Sequence, residues 1–190
     1  MVLKLNLIAA ACENMGIGKD NTLPWNLRTE MNFFTRMTSS IIDTNTMKKN
    51  VVIMGRRTWE SIPDKFKPLS NRMNFILSKS DLDLKNYRDV YSFKSLEQCL
   101  EKLKCPEFQD LYESVWVIGG SNVYKECMES EHFYRLYLTQ ILKNFECDTF
   151  FPKIPDNLVT IRDSIVPEGV QSENGINFIY KVYENPNFKM

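Results

Sequence analysis

Val115-Trp116-Val117-Ile118-Gly119 is a continuous run without a charged or hydrogen-bonding aliphatic side chain, as expected for a strand covered on both faces. Gly120 follows, and Ser121–Met128 reads as a helix with Ser121 as its cap, so strand and helix share one tight turn. Val51-Val52-Ile53-Met54-Gly55 repeats the pattern before a helical turn over Arg57–Ile62 closed by Pro63. Leu3–Ala11 reads as the first strand; Lys4 and Asn6 make it too polar for a membrane span or a signal peptide. Strands that alternate with helices in this way predict an α/β layout, with parallel strands, right-handed crossovers and helices on both faces.

Outward from these runs the same alternation continues. Met73–Leu77 and Asp89–Tyr91 read as strands, and Ser95 caps a helix to Lys104 whose stripe is Leu96, Cys99, Leu100 and Leu103, with Pro106 beyond its end. Tyr134–Ile141, Val159–Asp163 and Phe178–Glu184 are strand-like with no strong helix between them, and are expected to finish the sheet partly antiparallel. Ser40–Asn50 is polar and reads as a surface loop. With no repeat, low-complexity tract or linker, residues 1–190 are expected to form one domain.

Composition removes several function classes. Lys plus Arg number 24 and Asp plus Glu number 24, which gives no general attraction to nucleic acid or anionic membrane. The five cysteines (Cys12, Cys99, Cys105, Cys127, Cys147) are odd in number and widely spaced, as in a reduced cytosolic protein. His132 is the one histidine, which leaves little basis for a zinc site or a Ser-His-Asp triad.

One helix carries a puzzle. Read from Leu27, a 100° step puts Leu27, Glu30, Phe33, Phe34 and Met37 on one broad apolar face, with a carboxylate inside it. Helix geometry alone narrowly favours a small roll that lets Glu30 reach solvent, because a buried carboxylate is costly unless paired or protonated. Ligands of open α/β sheets gather at the carboxyl ends of strands, and three ends here are rich in donors. They are Gly55-Arg56-Arg57-Thr58, Ser78-Lys79-Ser80 after Leu77, and Gly119-Gly120-Ser121. Together they favour an extended ligand that bears phosphate, although neither G-x-G-x-x-G nor a P-loop is present.

Four segments make the resemblance specific. Asn14-Met15-Gly16-Ile17-Gly18-Lys19 with Leu23-Pro24-Trp25, then Val52–Pro63, Trp116–Tyr124 and Phe145–Pro152, resemble the signatures of the dihydrofolate reductase family, in its animal-type form and in the family's order. The resemblance implies a single-domain fold with a twisted, mostly parallel sheet of eight strands, antiparallel near the C-terminus. It implies NADPH-dependent reduction of 7,8-dihydrofolate to tetrahydrofolate, with hydride to C6 and a proton to N5, in a cytoplasmic monomer open to antifolates. No membrane and no obligatory nucleic acid are expected among its partners. No fused thymidylate synthase is expected either, since the chain ends just after its last predicted strand.

The resemblance also reverses the reading of Glu30, which matches the acid that holds the pterin, with Thr139 as its buttress; Trp25 matches the tryptophan beside the site that contacts the pterin through an ordered water. Ile8, Ala10, Met31, Phe34, Ile62, Leu69 and Ile118 match the remaining folate wall, and Arg72 the partner of the substrate's α-carboxylate. Phe66 stands near the substrate tail where a polar residue is common, and Met31 where many animal members carry an aromatic one. For the cofactor, Gly55, Arg56, Arg57 and Thr58 match the pyrophosphate cluster, while Leu77, Ser78, Lys79 and Lys94 match the adenine and 2′-phosphate end. Ile118, Gly119, Gly120, Ser121, Asn122, Val123 and Tyr124 match the turn under the pyrophosphate and nicotinamide; Ala10, Ile17, Gly18 and Lys19 match the loop over nicotinamide. Two other readings compete: a related pterin or flavin-pathway reductase, and a non-catalytic binder of nucleotides or RNA. Glu30 with Arg72 opposes the first, and zero net charge opposes the second.

Overall fold

The computed structural model describes residues 2–189. Its sheet is assembled from β1 (Leu5–Ala11), β3 (Lys49–Gly55), β4 (Arg72–Leu77), β5 (Val90–Phe93), β6 (Tyr112–Val117), β7 (Phe133–Ile141), β9 (Val159–Ile161), β10 (Gln171–Glu173) and β11 (Ile176–Glu184). The order is β10-β11-β7-β1-β6-β3-β4-β5, with β9 also on β11. Neighbours from β7 to β5 are parallel, and every pairing of β11 is antiparallel. The expected mixed sheet is therefore present. It gains β10, a three-residue strand too short to carry a periodic signal.

Helices cover both faces, which explains the continuous apolar runs. One face presents Ile8, Val52, Met54, Ile76, Trp116 and Tyr137 to α1 (Arg28–Ser39) and α2 (Arg56–Ser61), through Phe33, Met37 and Trp59. The other presents Leu5, Leu7, Val51, Ile53, Phe75, Val115 and Val117 to α3 (Leu96–Lys104) and α5 (Ser121–Met128), through Leu96, Cys99, Leu103, Val123 and Cys127. Adjacent residues of Val51–Met54 thus enter different cores, as the two-residue period of a strand requires.

Several boundaries depart from the sequence reading. Leu27 is the cap of α1 rather than its first residue, and Gly120 rather than Ser121 caps α5 without a side-chain bond. Lys49 and Asn50 belong to β3 and not to the preceding loop. Pro106 opens a further helix, α4 (Pro106–Gln109), since proline suits a first helical position as well as a stop. Ser95 does cap α3, its Oγ accepting the Gln98 N–H at 3.3 Å. A separate two-stranded sheet pairs β2 (Gly16–Gly18) with β8 (Thr149–Phe150), both inside segments that read as loops.

Candidate functional site

α1 places the acid. The side chain of its cap residue, Leu27, offers no hydrogen bond, and the N–H groups of Arg28 and Thr29 instead donate to the Glu173 carboxylate at 2.9 and 2.7 Å. Glu173 comes from β10, across the sheet edge, so α1 is capped by a tertiary contact. One turn further, Glu30 is 5% exposed, which overturns the solvent-edge reading from helix geometry. Its neighbours decide this: Leu27 packs with Trp25, Cys12, Ile141 and Phe178, while Phe33 lies 4.1 Å from the Tyr180 ring, and these anchors prevent a roll. Thr139 on β7 donates its hydroxyl to Glu30 Oε1 at 2.9 Å. Burial raises the Glu30 carboxyl to about 7 against the smaller opposing effect of Thr139. The Glu30 charge in turn helps burial push the Tyr180 phenol up to about 12. Trp25, in the same apolar cluster as the cap residue Leu27, is buried, and its Nε1–H is a donor without a protein partner among the described residues.

A second polar centre lies further along the same helix. Arg72, at the start of β4, is 5% exposed; its Nε donates to the Ser70 carbonyl at 2.9 Å and its Nη1 to Thr38 Oγ1 at 2.8 Å. Among the described residues no carboxylate pairs with it, and burial lowers its guanidinium to about 10, still charged at neutral pH. Thr38 is fully buried and stands two i+4 steps after Glu30, about 12 Å along the axis. Its hydroxyl donates to the Phe34 carbonyl at 2.8 Å while accepting from Arg72, so α1 holds both centres at a set separation. Asn74 clamps the preceding turn, giving Nδ2 to the carbonyls of Leu69 and Arg72 and accepting the Leu69 N–H. Thr38 and Asn74 escaped the sequence reading; the i+4 spacing from Glu30 was the available signal for Thr38.

Between these centres Ile8 is buried in the core, and Ala10, Phe34, Ile62, Leu69 and Ile118 are half-buried. Met31 at 44% and Phe66 at 56% stand open to solvent. They can meet a ligand only at its outer edge.

The three strand ends converge as expected at two of them. Gly55 N–H donates to the Gly119 carbonyl at 2.8 Å, and a Cβ on Gly120 would approach Thr58 Oγ1 at 3.6 Å, which brings the α2 and α5 starts together. Gly119 has φ +115 and faces Tyr124, whose ring would lie 3.2 Å from any Cβ there; glycine is required on both counts. Tyr124 donates its hydroxyl to the Ile8 carbonyl at 2.7 Å and so ties this turn to β1. Val123 is buried behind Gly55, Asn122 is exposed and Ser121 half-buried. Along the rim, Arg56 Nη1 reaches Ser80 Oγ at 3.4 Å, and Arg57 and Lys79 are exposed. Leu77 is half-buried. Ser78 is buried with its hydroxyl on the Ser80 carbonyl, so it shapes the turn rather than offering a free donor. Lys94 pairs with Asp81 and donates to the Lys79 carbonyl at 3.2 Å.

The family description "Dihydrofolate reductase" matches residues 4–185. The chain belongs to the dihydrofolate reductase family. The reductase is 42% identical over 182 residues to the dihydrofolate reductase of Aedes albopictus, covering 95% of this chain and 97% of the relative. It is 44% identical over 191 residues to that of Sus scrofa, covering 98% and 100%. A solved structure of the Schistosoma mansoni dihydrofolate reductase superposes with a TM-score of 0.84 at 37% identity, over 98% of this chain and 100% of that one. The reductase is thus an oxidoreductase that reduces dihydrofolate with a nicotinamide cofactor. Among its described residues, no helix is long and apolar enough to cross a membrane.

The loop Glu13–Leu23 of the reductase is held by its partner segment. Besides the β2–β8 pairing, Lys19 bridges to Glu146 at 2.7 Å and the Asp20 N–H donates to Asp148 Oδ2 at 2.8 Å. Asp148 N–H returns to the Gly18 carbonyl at 3.0 Å, and Phe151 N–H to that of Met15 at 2.8 Å. Ile17, Gly18 and Lys19 are half-buried under these ties.

Proposed function

We propose that the reductase uses NADPH to convert 7,8-dihydrofolate to 5,6,7,8-tetrahydrofolate, as a single domain over residues 1–190 and as a cytoplasmic monomer. The observation that carries the reading is Glu30, a buried carboxyl raised to about 7 and held by the Thr139 hydroxyl. An acid with that pKa holds and releases a proton at neutral pH, which reduction at N5 requires. When ionised it accepts the ring N–H and exocyclic amine of a pterin in a bidentate pair. Thr139 orients the carboxyl, and Trp25 can anchor a water or polar ligand atom beside it. Ile8, Ala10, Phe34 and Ile118 supply apolar walls, while Ile62 and Leu69 line the route outward; Met31 and Phe66 flank the exit. Arg72, a buried cation without a counter-charge, suits the α-carboxylate at the far end of the substrate.

The residues present fit a dinucleotide phosphate. Gly55, Gly119 and Gly120 leave backbone open at the junction of α2 and α5, and Thr58, Ser121 and Asn122 edge it with polar groups. Arg56, Arg57, Lys79 and Lys94 add cations along the rim, an arrangement that favours a cofactor with an extra phosphate dianion. NADPH supplies the hydride when bound. Ala10, Ile17, Gly18 and Lys19 close over that end and exclude water.

Mixing the purified protein with NADPH and dihydrofolate should consume the reduced nicotinamide, and NADH should serve far less well. Folded protein that binds NADPH tightly yet leaves the absorbance unchanged would overturn the reading. Equal use of NADH would remove the rim cations from their role.

A further inference from the structure

Two thiols outside the cleft lie side by side. Cys12, the residue after β1, is fully buried, and Cys147, half-buried, precedes β8; their Sγ atoms are 3.8 Å apart. The Cys12 thiol also donates to Asn14 Oδ1 at 2.8 Å, and the same oxygen accepts the Gly16 N–H at 3.2 Å. Gly16 occupies the gap beside them: a Cβ there would fall 2.4 Å from Cys147 Sγ and 3.0 Å from Cys12 Sγ. The pair therefore joins the root of the Glu13–Leu23 loop to the segment against which that loop is pinned.

We propose that Cys12 and Cys147 are a reversible dithiol–disulfide couple whose oxidised form locks the Glu13–Leu23 loop onto the 146–151 segment and slows turnover. A peroxide is the oxidant class. The Cys147 thiolate, on the half-buried and reachable side, attacks one peroxide oxygen, forming an S–O bond as the O–O bond breaks and hydroxide leaves. That hydroxide takes the Cys147 proton to give the first water; the Cys12 sulfur then attacks the sulfenic sulfur, the S–S bond forms as the S–O bond breaks, and the leaving hydroxyl takes the Cys12 proton as the second water. Two thiols and one hydrogen peroxide give one disulfide and two waters. The sulfurs must close from 3.8 Å to about 2.05 Å as the bond forms.

Contrast with the other thiols sharpens the assignment. Cys99 and Cys127 are both fully buried between α3 and α5, so neither presents a sulfur that a peroxide can reach, whereas Cys147 is half-buried. Burial and the Cys12 thiol push Cys147 up, which makes its oxidation slow and confines it to sustained peroxide exposure. Closing the disulfide removes the Cys12 S–H bond to Asn14 and replaces a 3.8 Å contact by a covalent bond. Since closing loops of this kind gate turnover on slow timescales, a covalent tie should lower kcat.

The test exposes the reduced full-length reductase to hydrogen peroxide, blocks free thiols with N-ethylmaleimide, and maps peptides without reduction. A linked Cys12–Cys147 peptide is expected, together with a fall in kcat of at least about threefold that dithiothreitol restores. Cys12→Ser and Cys147→Ser should each keep their activity through the same treatment, so a folding failure of one leaves the other to report. The proposal is overturned by absence of the linked peptide, by its formation without loss of turnover, or by equal loss in both serine variants.

Discussion

At the residue scale the proposed chemistry rests on a single carboxyl, and its cost should be measurable. Glu30 keeps its proton to about pH 7 when folded, against about 4.5 for an ordinary glutamate. The folded state therefore binds more protons between those values, and stability is fully present below about 4.5 and falls as pH rises through 7. At about 1.4 kcal/mol per pKa unit, the ionised buried group costs about 3 kcal/mol above pH 7. Glu30→Gln cannot ionise, so it should be more stable than the parent by up to that amount at pH 8 and nearly equal at pH 4. Urea unfolding at the two pH values checks this, and identical pH dependence in both proteins would sink it. The same variant should lose most turnover at neutral pH. Arg72→Leu belongs beside it: under the proposed pairing with the substrate's α-carboxylate, removal of the buried charge costs about 2–5 kcal/mol, so KM for dihydrofolate should rise at least about 30-fold with kcat affected less. A substrate analogue without the terminal carboxylate should not distinguish the two proteins.

Elements show which signals a chain carries on its surface and which it hides. Val51–Gly55 and Val115–Val117 were legible because both faces are covered and every position is apolar. The Glu30 site was half legible. The acid's position on an apolar face could be read, but the restraint that buries it comes from Trp25, Ile141, Phe178 and Tyr180, which meet only in three dimensions. Glu173 capping α1 and Thr38 holding Arg72 were invisible for the same reason. The β2–β8 pair was hidden by its length, since three and two residues show no period. That small sheet is nonetheless sharply constrained at Gly16, where a Cβ would come within 2.6 Å of the Cys147 Cβ as well as crowding both sulfurs. Gly16→Ala must push the two segments apart, at a cost of about 1–3 kcal/mol for overpacking. Thermal unfolding and amide exchange at Gly18 and Phe151 report it; unchanged protection at both amides would show that the loop accommodates the methyl without parting from β8.

The strand order of the whole molecule bears on how it unfolds. β1 lies between β6 and β7, β3 joins β6 to β4, and β10–β11 return beside β7, so contacts between distant parts of the chain run through every layer. Cutting the sequence anywhere between β1 and β7 removes a neighbour from a central strand. Both cores share these strands, α1 reaches the last hairpin through Glu173, and the candidate site draws its residues from β1, α1, β4 and β7 together. Residues 1–190 should therefore unfold as one cooperative unit, with calorimetric and van't Hoff enthalpies in agreement. A ligand bound across Glu30 and Arg72 contacts elements from both halves, so it should stabilise that whole transition rather than a part of it. At a hundredfold excess over its Kd, an antifolate should add about 2.7 kcal/mol and leave a single transition at higher temperature. Two resolved transitions, with only one moved by the antifolate, would mean that the sheet divides and that the cleft belongs to one part of it.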